Sequence, residues 1–117
     1  MKYNVADDIA AHNARNAALK GRLLENNVDL NEPRPIDLHF WASDQESAAL
    51  LGKALYDQGF LLTALAPSQS DESEELWVVD AKTTESPNRV ISTSFTEKLV
   101  NLAASLQCRY DGWGTLL

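Results

Sequence analysis

The stretch IDLHFWASDQESAALLGKALYDQGF, residues 36–60, places a strand pattern directly before a helix pattern. Apolar and polar residues alternate over 36–41, and this period of two predicts a strand with one apolar face. Ser43 and Glu46 then form a capping box at the start of a helix. The apolar residues that follow at helical spacing are Ala48, Leu51 and Leu55. Gly59 is placed to end this helix in a left-handed turn.

The rest of the chain contains further strand patterns and one more helix pattern. Residues 60–66 and 76–81 read as two strands on either side of the polar run PSQSDES. A second capping box, Ser94 with Glu97, starts an amphipathic helix. The apolar stripe of that helix consists of Phe95, Leu99, Leu102, Ala103 and Leu106. Residues 108–116 then close the chain as a fourth strand.

The resulting order of strand, helix, strand, strand, helix, strand predicts an α+β ferredoxin-like sandwich. In this βαββαβ fold, right-handed crossovers leave both helices on one face of a four-stranded antiparallel sheet. The opposite face is then expected to carry Asp37, His39 and Trp41, with Trp77 as a further candidate. One domain is expected, with residues 1–30 as an N-terminal helix and linker and residues 31–117 as the ferredoxin-like part.

The N-terminal helix is predicted from about Asn4 to Asn26. Its stripe at spacings of four and three is made of Val5, Ile9, His12, Asn16, Leu19 and Leu23. The polar residues in the middle suit a helix that packs at its two ends only, or a short self-associating seam in which Asn16 sets the register. Packing on the domain is favoured, because about three heptads are too few for a convincing coiled coil. Whether the chain forms a homodimer stays open.

The charge of the protein is acidic and unevenly spread. Among the 117 residues, 17 acidic and 10 basic side chains give a net charge of -7. From Asp29 to Glu85, twelve acidic residues against three basic ones leave that segment at -9. The densest acidic run is Asp71, Glu72, Glu74 and Glu75. Such a surface repels phosphate backbones, which argues against direct nucleic-acid binding and favours a basic protein partner.

Residues that would carry catalysis or bind a metal are few. Cys108 has no second thiol, and His12 and His39 lack metal-ligand spacing, so neither a metal nor another cofactor is predicted. His39 with Asp37 could form an oriented imidazole, but no nucleophile motif or phosphate-binding glycine loop accompanies it. The chain is therefore expected not to be an enzyme. No apolar run is long enough for a membrane span, and the amino terminus lacks an apolar signal core, so a cytoplasmic location is expected.

The final strand carries the string YDGWGT, which is Tyr110, Asp111, Gly112, Trp113, Gly114 and Thr115. Glycines inside a strand usually mark a bulge, so we expect a bent final strand with Trp113 in the core. A Trp that stacks on a ligand is the alternative interpretation.

The string YDGWGT also resembles the C-terminal signature of the family called regulator of ribonuclease E activity B (RraB). The segment LLENNVDL, the strand IDLHFWA and both later helices come in that family's order and spacing, so the resemblance runs from about Leu23 onward. It implies a cytoplasmic inhibitor that binds the non-catalytic, Arg-rich part of ribonuclease E. The signature residues would then have a structural or a binding role.

The resemblance implies a masking mechanism, in which acidic and aromatic side chains cover a basic segment of the partner. Candidate contact residues are Asp71, Glu72, Glu74, Glu75, Asp37, His39 and Trp41. The family's best-known form continues beyond the signature into a long acidic tail, whereas this sequence stops at Leu117. If that tail contributes to binding, weaker binding or another partner is expected. The alternative is a ligand-binding or dimerising regulatory module on the same fold.

Overall fold

The structure, a computed structural model, describes residues 3–68 and 76–116. The elements in chain order are α1 (Val5–Glu25), β1 (Arg34–Ala42), α2 (Gln45–Asp57), β2 (Leu61–Pro67), β3 (Trp77–Glu85), α3 (Pro87–Val90), α4 (Thr93–Ser105) and β4 (Cys108–Gly114). Apart from the short α3, these are the elements that the sequence predicts.

The four strands form one sheet in the order β2, β3, β1, β4, and every neighbouring pair is antiparallel. This order is that of the ferredoxin-like fold, so the predicted fold class is confirmed. Helices α2 and α4 pack on one face of the sheet. The core between them is built from fully buried side chains: Ile36, Leu38, Phe40, Leu51, Leu55, Val79, Leu99 and Val100.

The start of α2 lies one residue later than predicted. Its N-cap is Asp44 rather than Ser43, and a carboxylate oxygen of Asp44 accepts a 2.7 Å hydrogen bond from the backbone N–H of Ser47. A charged acceptor gives a shorter and stronger bond to a free N–H than a hydroxyl does. At the other end, Gly59 follows the helix at a φ of 91°, which confirms the predicted left-handed turn.

The start of α4 also differs from prediction. Its N-cap is Ser92, whose hydroxyl accepts the N–H of Phe95, and not Ser94. The reason is α3, a single turn that begins at Pro87 with Ser86 as its cap. Pro at the first helical position is compatible with a helix start, because its missing N–H would have no partner there in any case.

Both edge strands carry a bulge that changes which residues face the helices. In β4 the register shifts opposite His39 and Phe40, so Tyr110 and Trp113, three residues apart, both pack on the core side. Gly112 supplies the φ of 124° that this bulge requires, which confirms the predicted glycine bulge with Trp113 packed on the core. In β2 a similar shift lets Leu62 and Leu65 both lie against α2.

The register also decides the position of Trp77. It pairs with Ala42 and lies on the same face as Val79, so it packs against the core beneath the helices. The expectation that Trp77 shares the face of Trp41 is therefore wrong. Adjacent antiparallel strands match faces residue by residue, and this register cannot be read from β3 alone.

Helix α1 packs against α4 and along the outer edge of β4, rather than across the sheet. His12 and Asn16 in the middle of the helix are 2% and 5% exposed, as deeply buried as Leu23 near its end. Packing on the domain is thus confirmed. The expectation of contact at the two ends only is wrong, because the central polar side chains make hydrogen bonds to the domain.

Candidate functional site

The sheet face opposite α2 and α4 collects the side chains that point away from the core. We call it the open face and define it by Asp37, His39, Trp41, Val78, Asp80, Lys82 and Arg109. The three candidate residues of β1 therefore lie on one surface, as their alternation predicts. Across the strands they form rows, with Trp41 between Val78 and Arg109, and His39 beside Asp80.

The middle of the open face holds one exposed histidine–carboxylate hydrogen bond and one exposed ion pair. His39 Nδ1 lies 3.0 Å from a carboxylate oxygen of Asp80, and Lys82 Nζ lies 4.0 Å from Asp37. His39 is therefore oriented by Asp80 and not by Asp37, the partner expected from the sequence. Each contact is exposed and contributes little stability, and the charge of Lys82 balances that of Asp37. A dense acidic patch is not found at this position.

The Trp41 end of the open face contains a solvent-open groove of about 480 Å³. It is lined by Trp41, Ala42, Ser43, Leu76, Gln107 and Arg109. We call it the Trp41 groove. The guanidinium of Arg109 lies 4.0 Å from the ring centre of Tyr3, so its charge is directed at an aromatic ring. The groove thus presents half-buried aromatic and apolar surface that is available to a partner.

The connection between β2 and β3 departs from and returns to this end of the sheet. Ser68 and Leu76 meet there through a 2.7 Å backbone hydrogen bond. The acidic candidates Asp71, Glu72, Glu74 and Glu75 belong to this connection and lie outside the residues that the structure describes.

Tyr3 lies next to the Trp41 groove, where its ring contacts Arg109. Its hydroxyl donates a 2.6 Å hydrogen bond to a carboxylate oxygen of Asp8. Burial, and then this hydrogen bond, raise the pKa of Tyr3 to about 12, so the phenol stays neutral at all physiological pH values. Sequence reasoning missed Tyr3, because its link to Arg109 joins opposite ends of the chain.

The signature residues Tyr110 and Trp113 contact α1. The buried ring of Tyr110 stacks on the ring of His12 at 4.8 Å. The Nε2–H of His12 donates a 2.9 Å hydrogen bond to the carbonyl oxygen of Tyr110, while Nδ1 accepts one from Arg15. This arrangement needs a neutral imidazole, and burial followed by the charge of Arg15 lowers the pKa of His12.

Asn16 forms the second link between α1 and the domain. Its amide nitrogen donates to the hydroxyl of Thr96 at 3.2 Å, and its amide oxygen accepts a 2.9 Å hydrogen bond from the indole of Trp113. At the end of the signature, Thr115 donates to the carbonyl oxygen of Pro35. The indole N–H of Trp113 is thus engaged and its ring packs on the core, while the ring also lines a small cavity of about 150 Å³ with Leu19 and Leu23 of α1.

The described residues also lack two features. Within residues 3–68 and 76–116, no cluster of three or more His, Cys, Asp or Glu side chains could hold a metal ion. Among the helices of that same part of the chain, none is both long and apolar enough to cross a membrane.

The sequence was compared with known protein families, and one family matches. The profile of the family described as regulator of ribonuclease activity B (RraB) matches residues 13–115, which include the open face, the signature and most of α1. No curated protein matches the sequence. Since the family profile spans most of the 117 residues, the chain belongs to the RraB family of regulators of ribonuclease activity.

Proposed function

We propose that this protein is a non-enzymatic, cytoplasmic inhibitor of ribonuclease E that binds a basic, non-catalytic segment of that enzyme. Family membership supports a regulator of ribonuclease activity. We choose the open face as the binding surface because of the Trp41 groove. This groove lies next to the point where the end of β2 and the start of β3 are joined by the Ser68–Leu76 hydrogen bond.

The proposed contact combines an aromatic anchor with charge attraction. Buried aromatic residues at the centre of an interface commonly contribute most of the binding free energy, and Trp41 is the candidate for this role. The acidic run Asp71, Glu72, Glu74 and Glu75 would attract the positively charged segment and speed its association. Occupying that segment would keep it from engaging RNA or other proteins, which would change the transcripts that the nuclease cuts.

The open face is favoured over the signature because the signature is already engaged. Tyr110 and Trp113 are held by His12 and Asn16, so a partner would first have to displace α1. Trp41 has no such cover among the described residues and is half-buried in an open groove. The open shape of this groove also favours a protein segment over a small ligand, which usually requires a more enclosed pocket.

The test is inhibition of ribonuclease E in a cleavage assay with a defined RNA. We expect inhibition of the full-length enzyme and none of an enzyme that lacks its Arg-rich region. Trp41→Ala should reduce the inhibition, while Tyr56→Ala, which removes an exposed aromatic residue on α2, should not. Inhibition that survives removal of the Arg-rich region would contradict the proposed site on the partner.

The role of the acidic run needs its own charge-matched control. One variant replaces Asp71, Glu72, Glu74 and Glu75 by the corresponding amides. The control variant replaces Asp7, Glu25, Asp57 and Glu97 in the same way, so that both have the same net charge. Loss of inhibition in both variants alike would indicate a nonspecific effect of net charge and would reject a local contact.

A further inference from the structure

The two edge strands of the sheet, β4 and β2, differ in what lies next to them. At the β4 edge, α1 lies alongside the strand and His12 donates a hydrogen bond to the outward-facing carbonyl of Tyr110. At the opposite edge, β2 is hydrogen-bonded to β3 on one side only, and no further strand of the described chain pairs with it. Unpaired edge strands readily pair with another strand, and proteins usually protect them.

Strand β2 lacks the charged side chains that commonly protect an edge strand. Residues 58–68, which contain the whole strand, carry no charged side chain in a protein whose net charge is -7. Lysines or other charges usually discourage pairing at an edge, whereas here the protective features are the bulge between Leu62 and Ala64 and Pro67 at the end of the strand. Leu61 is 63% exposed at the start of the strand, and Thr63 is exposed near its middle.

We propose that the edge of β2 is a self-association surface, at which a second copy of this chain adds its own β2 in antiparallel orientation. The absence of charge on β2 favours a second copy of the chain as the partner strand. Two copies at -7 repel each other, and this uncharged strip lets them meet without opposing carboxylates. A basic segment would find no acidic side chain on this strand and would gain nothing from its own charge.

The other edge explains why the assembly stops at two copies. A twofold axis uses the same β2 surface on both chains, and at the other edge of the described sheet His12 of α1 already binds the carbonyl oxygen of Tyr110 in β4. Such an interface is closed and does not propagate into a fibre. The dimer would contain one continuous eight-stranded sheet, with the Trp41 groove of each copy left free.

The test is sedimentation equilibrium of the full chain over a range of concentrations up to about 1 mM, which detects even weak association. We expect a reversible monomer–dimer equilibrium in the unmodified protein. Thr63→Lys and Thr63→Glu should each be monomeric, because like charges then meet near the twofold axis. Mixing the two variants should restore a dimer, since opposite charges then face each other.

The control is Thr84→Lys, which places the same charge on an exposed Thr of the inner strand β3. It should leave the dimer intact, and circular dichroism should show that all three variants are folded. A protein that stays monomeric at all concentrations would overturn the proposal. A dimer that survives Thr63→Lys and Thr63→Glu would overturn it as well, because the contact would then lie elsewhere.

Amide hydrogen exchange locates the contact independently. On raising the protein concentration, we expect slower exchange in β2 and unchanged exchange in β4. Slower exchange in α1 instead would indicate a helical seam and contradict β2 pairing. The Thr63 variants should still inhibit ribonuclease E, so failure of this proposal is distinguishable from failure of the proposed function.

Discussion

The indole N–H of Trp113 donates a 2.9 Å hydrogen bond to the side-chain oxygen of Asn16, 97 residues earlier in the chain. This contact joins the signature of the last strand to the middle of the first helix. With the stacking of His12 on Tyr110, it explains why the signature combines two aromatic residues with glycines. The aromatic residues bind α1, and the bulge at Gly112 turns both of them toward it.

Replacing Asn16 by Ala should destabilise the protein by about 2 kcal/mol, because the Trp113 indole loses its acceptor and the hydroxyl of Thr96 loses its donor. The measurement is the free energy of unfolding from urea titration. Asn13→Ala, three residues away on the same helix, is the matched control and should cost far less. Equal effects of the two substitutions would show that the Asn16 bridge contributes no stability.

Stability should fall on acidification through the titration of His12. Its pKa is lowered in the folded state by burial and by Arg15, against the opposing effects of Asp8, Asp111 and the carbonyl of Tyr110. The unfolded chain therefore binds a proton more readily, so the stabilisation is fully present above the ordinary pKa of 6.5. It is lost as pH falls from there through the folded-state pKa.

The pH effect is isolated by comparison with His12→Gln, which cannot titrate. The free energy of unfolding should depend more steeply on pH between 7 and 5 in the unmodified protein than in this variant. Asn13→Ala, next to His12 in the sequence and unable to titrate, is the control and should leave the steep dependence unchanged. Parallel curves for the unmodified protein and His12→Gln would refute the predicted role of His12.

Gly112→Ala should cost about 2 kcal/mol of stability, because its φ of 124° is strained for any residue with a Cβ. Space is not the issue, since an added Cβ would meet no atom within 4 Å. Gly114→Ala, in the same strand, has equal space and no positive φ, so it should be nearly neutral. Urea titration of both variants tests this difference. Similar losses in both would mean that the bulge conformation does not require glycine.

The thiol of Cys108 should be unreactive in the native protein. It is 3% exposed, and burial followed by the charge of Asp44 raises its pKa to about 11, so little thiolate forms at neutral pH. A chromogenic disulfide reagent should label it slowly in buffer and rapidly in concentrated urea. Rapid labelling without urea would show that the contact between the start of β4 and the first turn of α2 opens easily.

Patterns within a few residues predict the helices and strands. Contacts between residues that are far apart in the sequence determine the features that were not predicted. The alternation over 36–41 and the glycine at 59 act within a few residues, and the corresponding elements were predicted. His12 and Asn16 looked like flaws in an apolar stripe because their partners lie about 80 to 100 residues away. Trp77 was ambiguous because its face depends on the register with β1.

The candidate site was only partly predictable for the same reason. Alternation placed Asp37, His39 and Trp41 on one face, but the partners of the two charged residues come from β3, with Asp80 beside His39 and Lys82 beside Asp37. The cross-strand register that sets these pairs cannot be read from β1 alone. The groove beside Trp41 depends on side chains from separate parts of the chain.

The most direct test of the account is calorimetric titration of the purified protein with the Arg-rich region of ribonuclease E, at low and at raised salt. We predict saturable binding that weakens at raised salt, because exposed charges are screened over about 8 Å at physiological ionic strength. Trp41→Ala should weaken the binding at both salt concentrations, since the aromatic contact is insensitive to screening. Absence of binding at low salt would contradict the central claim that this protein acts by occupying that basic segment.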